Sequence, residues 1–253
     1  DEQLDKLQQY LGGGKENFRR MLDFIRYDID GKRINAPKPE PPKKLERRPF
    51  FHIAEEDSFK TYQEYLDWYK KTGRYKENAA TVCVLSGNGG GALEDLIGAL
   101  EQKGMNVVAA NGMWNLLPMF EQVRPDLVIY QPHGRLGEKA VELLQKYNIP
   151  LFCPIKVSQP YEEYLKDQRG MTGGMLSQSV TMPELDGGAV PFVLSALYRN
   201  KRGLLEFRTI PDRLERFAEL VRKTTDLKRK PNADKKIAII YYGSIGKEAA
   251  TGG

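Results

Sequence analysis

Between residues 80 and 156, continuous apolar runs alternate with stretches whose apolar residues recur at helical spacing. Ala80-Thr-Val-Cys-Val-Leu85 is the first run, rich in β-branched residues and followed by glycine. Similar runs at 105–110, 126–130 and 150–155 predict three more strands. The intervening segments predict helices over 92–104 (Leu93, Leu96, Ile97 and Leu100 on one face), 114–123 and 136–147. Strands that are apolar throughout are covered on both faces, and helical crossovers join parallel strands. The pattern therefore predicts an α/β protein with an open, mostly parallel, doubly wound sheet. Ligands of such sheets bind outside the carboxyl ends of the strands. The segments expected there are 86–91, 111–113, 131–135 and 156–159.

The flanks read differently. Leu4, Leu7, Leu11, Phe18, Met21, Leu22 and Ile25 have helical spacing, and Gly12-Gly13-Gly14 divides them into two short helices. Residues 32–48 mix seven Lys and Arg with five prolines as far as Pro49, which predicts an extended, solvated linker. A helix is expected over 58–72 and an amphipathic one over 211–227, with Leu214, Phe217, Leu220 and Val221 inward. Residues 157–198 are Gly/Ser/Met-rich and turn apolar after Pro191. Residues 236–242 predict a strand that starts a second α/β unit. The expected division is an N-terminal helical segment with its linker (1–48), an α/β domain (49–160) and a region holding the start of the second unit (161–253).

Composition narrows the chemistry. A chain of 253 residues allows one large or two modest domains. No apolar run approaches the roughly 18 residues of a membrane span, and the mean hydropathy is -0.55. Two cysteines exclude a disulfide scaffold and a multi-cysteine zinc site, and two histidines exclude a three-imidazole metal site. The net charge of +5 concentrates in 32–48, 199–202 and 228–230. Clustered cations can bind phosphates, but these read as a solvated linker and helix ends, so no nucleic-acid partner is expected. Free cysteines on strands suit a reducing, cytoplasmic setting. The chain opens without Met and stops soon after a strand, so a piece of a longer protein is expected.

Several motifs carry possible chemistry. Gly87-Asn-Gly-Gly-Gly-Ala92 fits G-x-G-x-x-[GA], and the backbone amides of Gly87, Gly89 and Gly90 could meet an anion. The next strand ends in Ala109-Ala110-Asn111 without the acidic residue of a dinucleotide site. Gly243-Ser-Ile-Gly-Lys247 is too short for a nucleotide-binding loop, with Glu248 where Ser or Thr belongs. His133, within Gln131-Pro-His-Gly-Arg135, sits on the expected binding rim. His52, at the linker's end, reads more simply as an exposed residue. Met182-Pro-Glu-Leu-Asp-Gly-Gly188 sets Glu184 and Asp186 two residues apart in a loop held by Pro and Gly. The pair could take up protons or hold a metal in transit, or the Asp could simply accept backbone N–H bonds.

These segments resemble the large subunits of cobaltochelatase and magnesium chelatase over nearly the whole chain. Val180-Thr-Met-Pro-Glu-Leu-Asp-Gly-Gly is similar to the family's V-x-x-P-E-L-D-G, the most specific signal. Gly12-Gly-Gly-Lys-Glu-Asn-Phe-Arg-Arg-Met-Leu22, Phe51-His52 with Tyr65-Leu-Asp-Trp-Tyr69, and 228–242 resemble three other family segments, Ile245 replacing a usual Pro. The resemblance implies a tetrapyrrole substrate (corrinoid or porphyrin), a divalent metal (cobalt, magnesium or iron) and ATP hydrolysed by separate AAA+ motor subunits. It implies carboxylate roles for Glu184 and Asp186, and a metal-ligand or proton-shuttle role for His133, with Glu184 as a second metal ligand. Gly87, Gly89, Gly90, Gln131, Arg135 and Gln178 would contact the tetrapyrrole. The family's His-Gly-x-x-His-Gly-x-Leu-Glu region is missing, so this segment alone is expected to be inactive. Residues 171–179 resemble a haem-uptake subgroup, which makes iron removal from haem an alternative. A non-catalytic tetrapyrrole-binding module is the other.

Overall fold

The structure is a computed structural model that describes residues 2–11, 14–34, 37–43, 48–86, 91–111, 116–131 and 134–240, without the side chains of 116–118 and 121. It divides into two compact units, Asp1–Arg48 and Pro49–Gly253.

In the first unit, α1 (Glu2–Tyr10) and α2 (Gly14–Phe24) flank the Gly-rich break, and α2 runs on into a π turn, Ile25–Ile29. The Tyr10 and Phe24 rings stack 5.8 Å apart. Residues 37–43 of the proline-rich stretch form no helix or strand, but they are not free in solvent. Asn17, 1% exposed, donates to the Lys43 carbonyl at 2.9 Å and accepts from its N–H at 2.8 Å. Tyr10 donates to the Glu40 carbonyl and Arg20 to that of Pro41. Prolines supply no N–H donors, so the segment is held mainly through its carbonyls, with the Lys43 amide added.

The second unit opens with β1 (Phe50–Phe51) and α3 (Tyr62–Lys71). The Thr61 hydroxyl caps α3 by accepting from Glu64 N–H, and the Glu64 carboxylate returns to Lys60 N–H. Then follow β2 (Thr81–Ser86), α4 (Gly91–Gln102), β3 (Asn106–Asn111), α5 (Leu116–Val123), β4 (Leu127–Tyr130), α6 (Glu138–Lys146) and β5 (Leu151–Phe152). The expected strand over 150–155 breaks after Phe152, and β6 (Ile155–Pro160) leaves for a second sheet. Next come the short helices α7 (Tyr161–Lys166), α8 (Gly173–Leu176) and α9 (Met182–Leu185), then β7 (Gly188–Ala189), β8 (Val193–Arg199), β9 (Leu205–Thr209) and α10 (Pro211–Arg229).

Sheet A has the order β1-β3-β2-β4-β5-β7. All its pairings are parallel except that of β1, which adds an antiparallel edge. The chain steps from β2 to β3 on one side, then crosses back to β4 on the other. In sheets of this kind ligands bind at the carboxyl ends of the strands that flank such a reversal, here β2 and β4. Alternation along β2 serves both faces. Val82 and Val84 pack on Leu93, Leu96, Ile97 and Leu100 of α4 and on Phe217, Ala218 and Val221 of α10. Cys83 and Leu85 face Tyr65 and Tyr69 of α3, Met119 and Phe120 of α5, and Ala140 and Leu144 of α6. Leu220, expected inward, is 38% exposed.

Sheet B, order β6-β8-β9, is the largest departure from the sequence pattern. A further correction concerns the last expected strand. Residues 236–240 form no strand, and Ile237, Ile239 and Ile240 are 84–95% exposed. An isolated strand has no partner for its backbone groups or its apolar faces, so the residue pattern alone does not make one. Residues 241 and 242 lie outside the described residues.

Candidate functional site at the carboxyl rim

The rim is assembled by one stretch, residues 173–185, in which α8, a π turn (Ser177–Thr181) and α9 follow without a break. Single π turns recur at functional sites because they re-aim side chains within a helix. The Gly134 N–H donates to the Gln178 carbonyl at 3.3 Å. A methyl group on Gly134 would sit 3.9 Å from Met182 Sδ. The loop after β4 and the π-turn stretch therefore lie side by side.

Asp186 locks them together. Its side chain is fully buried, and its two oxygens accept from Arg135 Nε at 2.5 Å and Leu136 N–H at 2.6 Å. Asp186 N–H itself closes α9 on the Pro183 carbonyl. Glu184, two residues earlier, is exposed. The expected pair of adjacent carboxylates is thus divided. One carboxylate is consumed by a buried clamp, and the other faces solvent, because α9 carries them on different faces of a single turn. Gly188 follows on β7, and a Cβ there would come within 2.7 Å of the Pro183 carbonyl and 2.8 Å of Cys153 Sγ. Burial, with the Asp186 charge nearby, pushes the Cys153 thiol up to about 12, so it stays a neutral packing group.

Of the rim residues expected from sequence, Arg135, Gln178, Glu184 and Asp186 are brought to this junction. Gln131 lies just beyond β4, its N–H donating to the Leu85 carbonyl. Gly87, Gly89, Gly90 and His133 lie outside the described residues. His52 is placed elsewhere and is not exposed. It is 2% accessible, donates from Nε2 to Glu101 at 3.0 Å and accepts the Ala54 N–H on Nδ1 at 3.1 Å. Aromatic rings of Tyr65, Trp68 and Tyr69 surround it, so it belongs to a structural network. Among the described residues no three His, Cys, Asp or Glu side chains converge as a metal site. No helix among them is long and apolar enough to cross a membrane.

A cavity of about 400 Å³ opens under sheet B, on the other side of the same π-turn stretch. Ile155, Val157, Met171, Met175, Val180 and Val193 give it apolar walls, with Gln159, Tyr164, Asp167 and Arg169 as polar edges. The Arg169 guanidinium and N–H hold the Asp167 carboxyl down at about 2. Arg213 Nη1 donates to the Tyr164 hydroxyl at 3.2 Å, which leaves that hydroxyl's own hydrogen for another acceptor. The sequence signalled this cavity only through its Gly/Met-rich stretch. The sheet that roofs it could not be foreseen, since β6 reads as the tail of the preceding strand.

Residues 7–253 match the family model described as CobN/Magnesium Chelatase. An uncharacterized protein of Methanocaldococcus jannaschii is 24% identical, covering 96% of this chain and 22% of that protein. A magnesium-chelatase subunit of Chlorobaculum parvum is 28% identical over 46% of this chain and 9% of its own length. The catalytic subunit of cobaltochelatase from Mycobacterium tuberculosis shares the fold, with a TM-score of 0.56 and 19% identity over 92% of this chain and 20% of that one. The chain thus spans about a fifth or less of the length of these relatives.

Proposed function

The chain belongs to the CobN/magnesium chelatase family, and we propose that it supplies the tetrapyrrole-binding rim of an ATP-dependent, cobaltochelatase-like large subunit that inserts a divalent metal into the ring. Insertion releases two pyrrole N–H protons and replaces the water around the metal, so the site needs a proton acceptor and a ligand that faces the substrate. Glu184 fits both requirements, because its carboxylate is exposed beside a rigid rim. Its partner in the reaction on the metal side, as the family resemblance suggests, is His133. Asp186 acts one step back, as a positioning residue that holds Arg135 and the loop after β4.

The buried Asp186 clamp is the observation that carries this reading. It commits a desolvated carboxylate to joining two segments beside the carboxyl end of β4, where the strand order of the sheet reverses. Arg135 uses Nε on Asp186, and its side chain is still 45% exposed. Its two Nη groups have no partner among the described residues and would meet a ring carboxylate in the forked geometry that guanidinium favours. Gln131, Gln178 and the amides of Gly87, Gly89 and Gly90 would border the ring. ATP is assigned to AAA+ partner subunits, as the 243–247 segment does not fit a nucleotide loop.

The test is metal insertion into a porphyrin by the full-length protein with its motor subunits and ATP, followed by the absorbance of the metallated ring. Glu184→Gln is expected to slow insertion by about 10²-fold, the usual contribution of a positioned proton acceptor, with little change in porphyrin affinity. Unchanged rates in both Glu184→Gln and Asp186→Asn would overturn the assignment. Loss of iron from added haem, in place of insertion, would reverse the direction of the reaction.

A further inference from the structure

Sheet B carries a row of polar side chains that the rim does not use. Lys156 on β6 is the register partner of Ser195 on β8, and Ser195 is the partner of Thr209 on β9. Paired residues on adjacent strands project to the same face. The Thr209 hydroxyl donates to Asp95 Oδ2 at 2.8 Å, and Asp95 lies near the start of α4. This face of sheet B is therefore turned toward the beginning of α4, at the carboxyl end of β2. The Arg208 guanidinium also lies there, against Gly91, the first residue of α4.

Two groups in the row are unmet. Ser195 is 1% exposed, and its Oγ has no hydrogen-bond partner among the described residues. A buried hydroxyl in that state costs about 1–3 kcal/mol, which a ligand would recover. The Lys156 ammonium lies 4.4 Å from the centre of the Phe207 ring and meets no carboxylate or carbonyl among the described residues. The ring covers one side of the ammonium and leaves N–H donors without an acceptor. Lys156 is half-buried, and burial lowers its pKa below the usual lysine value, a sign of a cation without its counter-charge. The β6–β8 ladder also shifts register on both sides of Lys156, and such irregularities commonly re-aim a side chain next to a site.

An unpaired ammonium and an unpaired hydroxyl on register-paired residues of adjacent strands select against cations and are wasted on an apolar group. A carboxylate satisfies both, one oxygen on each donor. We propose that Lys156 and Ser195 form a carboxylate-binding position on sheet B that holds a side-chain carboxylate of the tetrapyrrole. The identity of the molecule bearing the carboxylate rests on the chelatase reading above, whereas the position itself does not.

Two measurements on the full-length protein separate the two claims. The first is a propionate titration of protein labelled with 15N-lysine, with Lys156→Gln assigning the ammonium resonance and chloride matching the ionic strength. The second compares binding of coproporphyrin, which bears free carboxylates, with binding of its methyl ester. Propionate is expected to shift the Lys156 resonance saturably. The free acid should bind at least about tenfold tighter than the ester, the value of one charged hydrogen bond. Lys156→Gln should cut that preference about tenfold, the Arg135 share remaining, and Ser195→Ala, which folds because it removes an unmet hydroxyl, should weaken it. No propionate shift beyond that of chloride overturns the position. Equal binding of acid and ester, or a preference unchanged in Lys156→Gln, overturns its use for the tetrapyrrole. If neither porphyrin binds while propionate still shifts Lys156, the carboxylate position stands and the chelatase reading falls.

Discussion

Asp186 and Glu184 show how little a shared motif says about two neighbouring carboxylates. Asp186 has no exposed surface and satisfies both oxygens within the protein, while Glu184 stands in solvent. Removing the Asp186 charge leaves the buried Leu136 N–H with a poorer acceptor and turns an amide toward Arg135. Asp186→Asn should therefore lower stability by about 1–3 kcal/mol, read from the midpoint of chemical denaturation. Glu184→Gln should stay within about 0.5 kcal/mol of the parent, as surface changes do. This contrast also protects the activity test, since a slow Glu184→Gln protein would still be folded. Both residues stood out in the sequence, but their different roles did not, because a two-residue spacing does not specify which side of a single helical turn is covered.

At the scale of elements, the strands and helices of 80–152 were legible because each repeats a period that burial on two faces imposes. Sheet B was not. Its strands mix buried, half-buried and exposed positions without a sustained period, and the β6–β8 ladder shifts register, so neither alternation nor a continuous apolar run marks them. The turn between α9 and β7 depends on a close approach that the sequence expressed only as a glycine. Gly188 leaves no space for a methyl group between the Pro183 carbonyl and Cys153 Sγ. Gly188→Ala should cost about 1–3 kcal/mol, the usual penalty of overpacking, measured by thermal unfolding. An unchanged midpoint would mean that β7 can pull away from the α9 turn without loss.

At the scale of the molecule, one partly buried carboxylate ties three elements of sheet A's flank. Glu101 on α4 accepts from His52 beyond β1, from Tyr69 of α3 at 2.7 Å and from Arg74 at 3.1 Å. Burial alone would raise its pKa, but the bonds from His52 and Tyr69 and the Arg74 charge hold it below the ordinary glutamate value. A depressed folded-state pKa adds stability above the unfolded value, near about 4.3, and loses it as pH falls through the folded value. Glu101→Gln should thus be less stable by about 1–3 kcal/mol at neutral pH, and the difference should shrink below about pH 4. A pH-independent difference in denaturation midpoints would show that the carboxylate charge is not what matters. His52 is the instructive case here. In the sequence it ends a proline-rich linker and looks exposed; only the packing of α3 onto β1 encloses it in rings. By itself the sequence determined the layered parallel sheet, the position of its carboxyl rim and the carboxylate-bearing loop, because periodicity and local motifs are written residue by residue. The tertiary structure alone decided that Asp186 is a clamp, that His52 is buried, that 37–43 is fastened to α2, and that Lys156 pairs in register with Ser195. Those outcomes depend on residues far apart in the chain competing for the same buried space and the same hydrogen-bond partners, and no local pattern records who wins.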